Sequence, residues 1–430
     1  MKSKYGSKLA RWISLALIVV LLVSSLASCA PKEGENVVRI GAVIPVSGGL
    51  GPVGTKFVDT IEFALDEINA AGGIKSLDGA KVELVLADDC SDPTTAGTET
   101  ERLCADESIV LVIGSLVTHI VEVQAPIIEN YGMPWMANTG EDEQFEKGRK
   151  YMHSLHPLTS TVGNVYAEFT DYAHKNWGID TSRIAIWSEE TGYGEGVTKH
   201  CVERLKELGY GDNIVLTETV SNKATDLTPL VLKFKAAKPT WAIIIPMSAT
   251  GVLWHKACYA QNYFPPTIGT PTGCADKRFW GDLIPLEVAK ATIGRTDFFI
   301  GDYALPDIQD SQLTWKAFKE KWEAAHPELA FDSRAALAGQ MTYIVTKAIE
   351  NAGSRDREAI NEALNEVEIT FPDPWQVYPS NYPTSGFKAD GSPENAIMCV
   401  GQWTLDGNQF TLYPPEIATR EEPRFMGEWE

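Results

Sequence analysis

Ser115, Thr118, Thr139, Gly140, Glu141 and Tyr193 stand in short polar loops, each directly after a run of strand-forming residues. Four such loops carry the chemistry this sequence offers. Pro45-Val46-Ser47-Gly48-Gly49-Leu50 has glycines that let a ligand approach the backbone closely. Gly114-Ser115-Leu116-Val117-Thr118 leads into a helical pattern. Hydroxyls and free backbone N–H groups at a helix start suit a carboxylate or amide oxygen. Ala137-Asn138-Thr139-Gly140-Glu141-Asp142 is polar, and Glu189-Glu190-Thr191-Gly192-Tyr193-Gly194-Glu195-Gly196 joins a strand to a helix. Each has a plainer use as well: a tight turn, helix capping by Ser115 or Thr118, or a solvated loop.

The pattern favours binding over catalysis. The fourth loop would need a third glycine at 197 to make a dinucleotide fingerprint, but Val197 stands there, one place after Gly196. Its acidic residues would also repel a pyrophosphate. No GxSxG, HExxH or P-loop occurs. His119 beside Thr118 is a close nucleophile–base pair, and a lone His there reads as a polar surface residue. Without a CxxC, and with its few histidines at no ligand spacing, the chain offers no zinc site. No cofactor is expected, and the chain is not read as an enzyme.

The elements that position these loops alternate. Strand runs at 37–46, 82–87, 110–113 and 133–137 are separated by helical patterns at 54–70, 96–106 and 121–130. A second series follows, with strands at 183–187, 214–220 and 241–246 and helices at 194–208, 227–237 and 251–261. Thr267 to Gly269 adjoins the next strand. Buried strands alternating with helices predict parallel, doubly wound α/β sheets, which bind ligands at their strand carboxyl ends. Later helices are predicted at 312–325 and 335–352, strands at 396–403 and 410–413 form a hairpin around Asp406-Gly407, and the charged tail from Pro414 runs on the surface.

The N-terminus is of another kind. Lys2, Lys4, Lys8 and Arg11 precede the apolar run from Trp12 to Leu26. That run is short of the roughly 20 apolar residues a spanning helix needs and matches a signal-peptide core. It ends in Leu26-Ala27-Ser28-Cys29, which resembles the lipobox of bacterial lipoproteins. Residues 1–28 are expected to be a signal peptide, Cys29 the lipidated residue, and 29–36 a polar tether. Loss of the four positive charges takes the net charge from −21 to −25. So acidic a chain is a poor partner for nucleic acid or anionic lipid heads, leaving the lipid as the anchor. The expected place is the extracytoplasmic face of a cell membrane, the periplasmic side in a double-membrane cell. About 400 remaining residues exceed one ordinary core, so two lobes are expected.

Beyond Cys29 there are six cysteines: Cys90, Cys104, Cys201, Cys258, Cys274 and Cys399. In an exported chain an even number suggests disulfides. Proximity favours Cys90 with Cys104 and Cys258 with Cys274, leaving Cys201 with Cys399; buried free thiols are the alternative.

In order and spacing, IGAVIPVSGGLGPVG, the pair Cys90 and Cys104, IGSLVT, MANTG and ETGYGEG resemble the branched-chain amino acid (Leu/Ile/Val) binding proteins of ABC importers, the type I periplasmic solute-binding family. The resemblance covers nearly all of the chain after the tether. It implies two Rossmann-like lobes joined by three crossings, near Pro157, Phe298 and Pro393, with a ligand held in the cleft and closure by a hinge. Residues 37–157 and 297–392 would form lobe one, and 158–296 and 393–430 lobe two. A Cys90–Cys104 bridge would match a family disulfide. Thr118 would contact the ligand carboxylate, with Ser115 beside it. Thr139, Gly140 and Glu141 would hold its carboxylate and amino group. Leu50 and Val53 would line the apolar pocket, and Tyr193 would contact the ligand from lobe two. The implied partners are a small molecule and permease subunits, with the chain itself a monomer.

Two departures bear on the ligand. Met247-Ser248 replaces a second tyrosine of the amino acid binders, and Thr270-Pro271-Thr272-Gly273 replaces an acid that would face the ammonium. A buried ammonium without a carboxylate is costly. Either Glu141 or Glu190 takes that place, or the ligand is an amide, urea or an aromatic carboxylate. A ligand sensor on the same fold is a further alternative.

Overall fold

The computed structural model describes residues 36–270, 274, 279–293, 297–301, 313–329, 331, 333–370, 372–377, 384–394, 398–404 and 407–423. The signal segment, Cys29, most of the tether, and Pro271, Thr272 and Gly273 lie outside them, as does the last stretch of the charged tail.

In chain order the first lobe begins β1 (Val37–Val43), α1 (Gly51–Ala70), β2 (Lys81–Ala87), α2 (Pro93–Ala105), β3 (Ile109–Ile113), α3 (Thr118–Tyr131), β4 (Trp135–Met136), α4 (Asp142–Glu146) and β5 (Met152–His153). Its sheet runs β2-β1-β3-β4-β5. β3 is buried at every residue, as a central parallel strand covered on both faces must be. α1 buries Phe57, Ile61, Ala64, Leu65 and Ile68 on one side of the sheet; Val121, Ala125 and Ile128 of α3 pack with Leu103 on the other.

α5 (Thr159–Trp177) then opens the second lobe, followed by β6 (Ile184–Glu189), α6 (Gly192–Glu207), β7 (Ile214–Val220), α7 (Thr228–Ala237), β8 (Trp241–Ile245), α8 (Ser248–Ala260), β9 (Thr267–Gly269), α9 (Leu286–Ala291) and β10 (Asp297–Gly301). The chain continues with α10 (Leu313–Ala325), α11 (Ser333–Ala352), α12 (Arg357–Glu366), the short pair β11 (Ile369–Thr370) and β12 (Thr384–Ser385), and the hairpin β13 (Cys399–Trp403) and β14 (Gln409–Tyr413). The second sheet has the order β14-β13-β10-β9-β8-β6-β7. α5 and α6 cover one face through Val162, Tyr166, Phe169, Val197, Cys201 and Leu205, while Val231, Phe234, Trp254 and Cys258 of α7 and α8 cover the other.

α10, α11 and α12 return to the first lobe, where Phe318, Met341, Ile344 and Ile360 join the core of α1 and β1. β10 does not go with them. It pairs with β9 and β13, so Asp297–Gly301, expected in lobe one, belong to the second sheet. The tail closes the outer edge of the second sheet: Thr419 donates its N–H to the Thr411 carbonyl, and the Arg420 guanidinium lies 4.0 Å from the centre of the Phe410 ring.

The expected disulfides are absent. Cys90, Cys104, Cys201, Cys258, Cys274 and Cys399 are all free thiols. Cys90 is exposed in the turn after β2, whereas Cys104 is buried on the inner side of α2. Cys201 and Cys399 belong to the core layers on opposite faces of the second sheet, which separates them. Cys258 and Cys274 share one core layer as separate thiols, and Cys274 Sγ lies 3.7 Å from His255 Nε2. Burial pushes the Cys104 thiol up to about 12, in keeping with a small buried apolar group.

Candidate ligand-binding site

The four loops lie at the carboxyl ends of their strands, and in the first lobe those after β1 and β3 are both bonded to the loop after β2. Asp88 and Asp89 follow β2. Asp88 Oδ1 accepts from the N–H groups of Val46 (3.0 Å), Ser47 (3.3 Å) and Cys90 (2.8 Å). Ser91 Oγ donates to the Ser47 carbonyl and accepts from Leu50 N–H, both at 3.0 Å. The loop after β1 is therefore held in shape by the loop after β2. Cys90 and Ser91 adopt left-handed backbone to do this. Burial pushes the Asp88 carboxyl up, but its hydrogen bonds to Ser47, Cys90 and Val46 outweigh that and leave it below the usual carboxylate range.

Ser115 is buried, and its Oγ donates to Asp89 Oδ2 at 3.2 Å. Its N–H donates to Gln124 Oε1 at 3.1 Å. The hydroxyl thus supports the loop. Asp89 is fully buried, and burial raises its carboxyl despite the bonds from Ser91 and Ser115. Thr118 opens α3; its side chain lies outside the described part of the structure. The N-cap position is Val117, which provides no side-chain cap. Ser115 therefore does not cap α3, whose first N–H groups receive no oxygen from the N-cap side chain. His119 is exposed.

Thr139 and Gly140 are buried and Glu141 half-buried. Thr139 Oγ1 accepts from Glu141 N–H at 3.5 Å, and its carbonyl accepts from Ser154 Oγ at 2.8 Å. Gly140 has no room for a side chain: a Cβ there would meet the Pro157 carbonyl oxygen at 2.1 Å. From here the first lobe reaches the second. A Cβ at Gly192 would lie 2.3 Å from Glu141 Oε1, so the carboxylate sits directly against the first residue of α6. Thr191 caps that helix through a 3.1 Å bond from Gly194 N–H.

In the second lobe Tyr193 is half-buried and packs against the core under α5 and α6. Glu189 is buried and accepts from Thr250 Oγ1 and from Met247 N–H (3.2 Å), which ties the loop after β6 to the start of α8. Glu190 is exposed. Thr270, at the position where an acid would face an ammonium, is buried and donates to the Pro246 carbonyl at 2.6 Å. Leu50 and Val53 are half-buried at the start of α1.

Sequence patterns singled out the loops but missed Asp88, Ser91 and Gly192 as the residues that shape them and bring them together. The run Asp88-Asp89-Cys90-Ser91 after a strand is a turn signal, which leaves its partners unnamed.

Two doubly wound lobes whose strand-end loops meet at Glu141 and Gly192 form a frame for holding a small molecule. The family described as periplasmic binding protein matches residues 37–408. The chain belongs to that family. Its members are small-molecule binders that act outside the cytoplasm. A Leu/Ile/Val-binding protein homolog 7 of Brucella melitensis is 25% identical over 413 residues, covering 94% of this chain and 98% of the relative. The fold is also that of the branched-chain amino acid substrate-binding protein LivJ of Streptococcus pneumoniae in complex with isoleucine, with a TM-score of 0.69 and 19% identity over 88% of this chain and all of the other. A solute-binding protein of R. palustris in complex with benzoate gives a TM-score of 0.69 and 16% identity over 90% of this chain and all of the other. Among the described residues no helix is long and apolar enough to cross a membrane, and no cluster of His, Cys, Asp and Glu could hold a metal ion.

Proposed function

We propose that this periplasmic binding protein is the receptor of an ABC importer, held at the extracytoplasmic face by lipid on Cys29, and that it carries a branched-chain amino acid or a related small polar ligand. The observation that supports it most is the meeting of Glu141 with the start of α6 between the two lobes. The uncapped start of α3 and the Thr118 position would receive the ligand carboxylate. Leu50 and Val53 would face its side chain, and Tyr193 would complete the site from lobe two.

Glu141 is the proposed partner of an ammonium group. Glu190 is exposed, and Glu189 is occupied with Thr250 and Met247. An aromatic carboxylate, amide or urea is the second reading. The replacement of the usual acid by Thr270, whose hydroxyl is committed to the Pro246 carbonyl, favours it.

A thermal-shift screen of the soluble form beginning at Pro31, against leucine, isoleucine, valine, amides, urea and benzoate, separates the two. If an amino acid binds, Glu141→Gln weakens it by about 30-fold or more, since one partner of a buried charge pair is lost, about 2 kcal/mol at least. If benzoate or an amide binds, Glu141→Gln leaves the affinity within about threefold. A stabilising shift from none of the panel would contradict the receptor reading.

A further inference from the structure

We propose that Asp142 is a positioning residue that fixes the angle between the two lobes. It is the first residue of α4, and Phe145 of the same helix is buried in the first lobe's core. Its carboxylate points to the second lobe. Oδ2 accepts from Thr159 Oγ1 at 2.6 Å and from Ser160 N–H at 2.8 Å, and Oδ1 accepts from Ser160 Oγ. His200 Nε2 of α6 lies 3.7 Å from Oδ2.

Thr159 and Ser160 are the first two residues of α5, the helix that opens the second lobe. Its N-cap position is Leu158, which has no side-chain oxygen to offer. A helix start leaves several N–H groups without intrahelical partners, and here the cap comes from the other lobe. An acid at this place also meets the positive end of the helix. Thr159 is held on three sides. Its N–H donates to the Gly140 carbonyl at 2.6 Å, its hydroxyl donates to Asp142, and a Cβ at Gly196 of α6 would touch that same hydroxyl at 2.9 Å. One carboxylate of the first lobe therefore grips both helices that face it, immediately beyond the crossing at Pro157. His200 also has Glu203 Oε2 3.6 Å from its Nδ1, so the imidazole stands between two acids.

Such a grip does more than stabilise α5. Rotation of one lobe about the first crossing must stretch these contacts, so they select a narrow range of lobe angles whichever ligand is carried. Asn caps helices about as well as Asp. Asp142→Asn keeps an oxygen for Ser160 N–H and Thr159, whereas Asp142→Ala removes the grip.

The test is the distribution of lobe–lobe distances in the full, ligand-free protein, read by electron–electron double resonance. One spin label sits on the exposed native Cys90 in lobe one and one on Asp212→Cys, an exposed position in lobe two; protein labelled at Cys90 without the added cysteine supplies the background. Asp142→Ala should widen the distribution by roughly twofold or more, as a hinge released from its stop does. Asp142→Asn should keep the width of the parent. If Asp142→Ala lowers the thermal midpoint but leaves the distribution unchanged, the residue merely caps a helix and the proposal is overturned. Equal widening by Asn and Ala would overturn the cap-based grip as well. Should Asp142→Ala fail to fold, Thr159→Val, Ser160→Ala and His200→Ala together remove the three side-chain partners of the carboxylate from the other side and leave it only the Ser160 N–H; an unchanged width there would equally overturn the proposal.

Discussion

Asp88 ties the first two loops of lobe one through three backbone N–H groups, and its carboxyl is held below the usual range by those bonds. A folded state that prefers the ionised form gains stability above the unfolded carboxyl's pKa and loses it as pH falls through the lower folded value. Asp89 works in the opposite sense. Its carboxyl is raised by burial, so ionising it as pH rises through the carboxylate range costs stability. Asp88→Asn should therefore flatten the acid limb of a melting-point profile, and Asp89→Asn should lift stability at neutral pH relative to acid. Asp88→Ala is expected to cost about 1–2 kcal/mol in denaturant unfolding, from N–H groups left without their acceptor. A second prediction concerns the thiols. In the native protein Cys90 should react quickly with a thiol reagent at pH about 8, while Cys104, with its thiol near 12, stays inert. Denaturation should then release the buried thiols without a reductant; a requirement for reductant would show disulfides instead. The sequence pointed to the strand-end loops because hydroxyls and glycines after apolar runs are a local pattern. Pairing of cysteines is not local. Proximity in sequence favours Cys90–Cys104 and Cys258–Cys274 and leaves Cys201 with Cys399, but all six are free thiols: a sheet separates Cys201 from Cys399, and Cys104 is buried while Cys90 is exposed.

Helices and strands were legible wherever their period was clean. β7 falls at Ile214–Val220 as expected, and α7, α8 and α11 fall within a few residues of their patterns. α5 is not among the helices predicted from the sequence, although Val162, Val165, Tyr166, Phe169 and Ala173 have the i, i+3, i+4, i+7 spacing of a buried helix face. Its aromatic and threonine content and uncapped start gave no boundary signal, because the cap is supplied by Asp142 from elsewhere in the chain. The sheet to which β10 belongs was equally out of reach, since its pairing with β9 and β13 depends on chain segments far away. Close helix approach, by contrast, makes a firm prediction. A Cβ at Gly163 of α5 would meet Val197 O at 2.7 Å and Cys201 N at 2.8 Å, backbone atoms of α6 that cannot step aside. One at Gly54 of α1 would meet the Pro45 carbonyl oxygen at 1.8 Å. Gly163→Ala and Gly54→Ala should each destabilise by about 1–3 kcal/mol, measured by urea unfolding. Gly49→Ala, where a Cβ meets nothing within 4 Å, should change little.

At the scale of the molecule, a parallel sheet and a mixed sheet, the second with antiparallel β13 and β14 at one edge, bring strand-end loops together where Glu141 reaches α6. In the proposed reading, lipid on Cys29 and the polar stretch after it keep this receptor near its permease at high effective concentration, while ligand shifts the population toward a closed form. The central claim is that one small molecule is held by both lobes. Titration calorimetry tests it most directly, using whichever compound of the screen binds best, on the parent, Thr118→Ala in lobe one and Tyr193→Ala in lobe two. The account predicts a single site per chain and a loss of about tenfold or more, near 1.4 kcal/mol, in each variant. Undiminished affinity in Tyr193→Ala, with lobe one alone sufficient to hold the ligand, would contradict it.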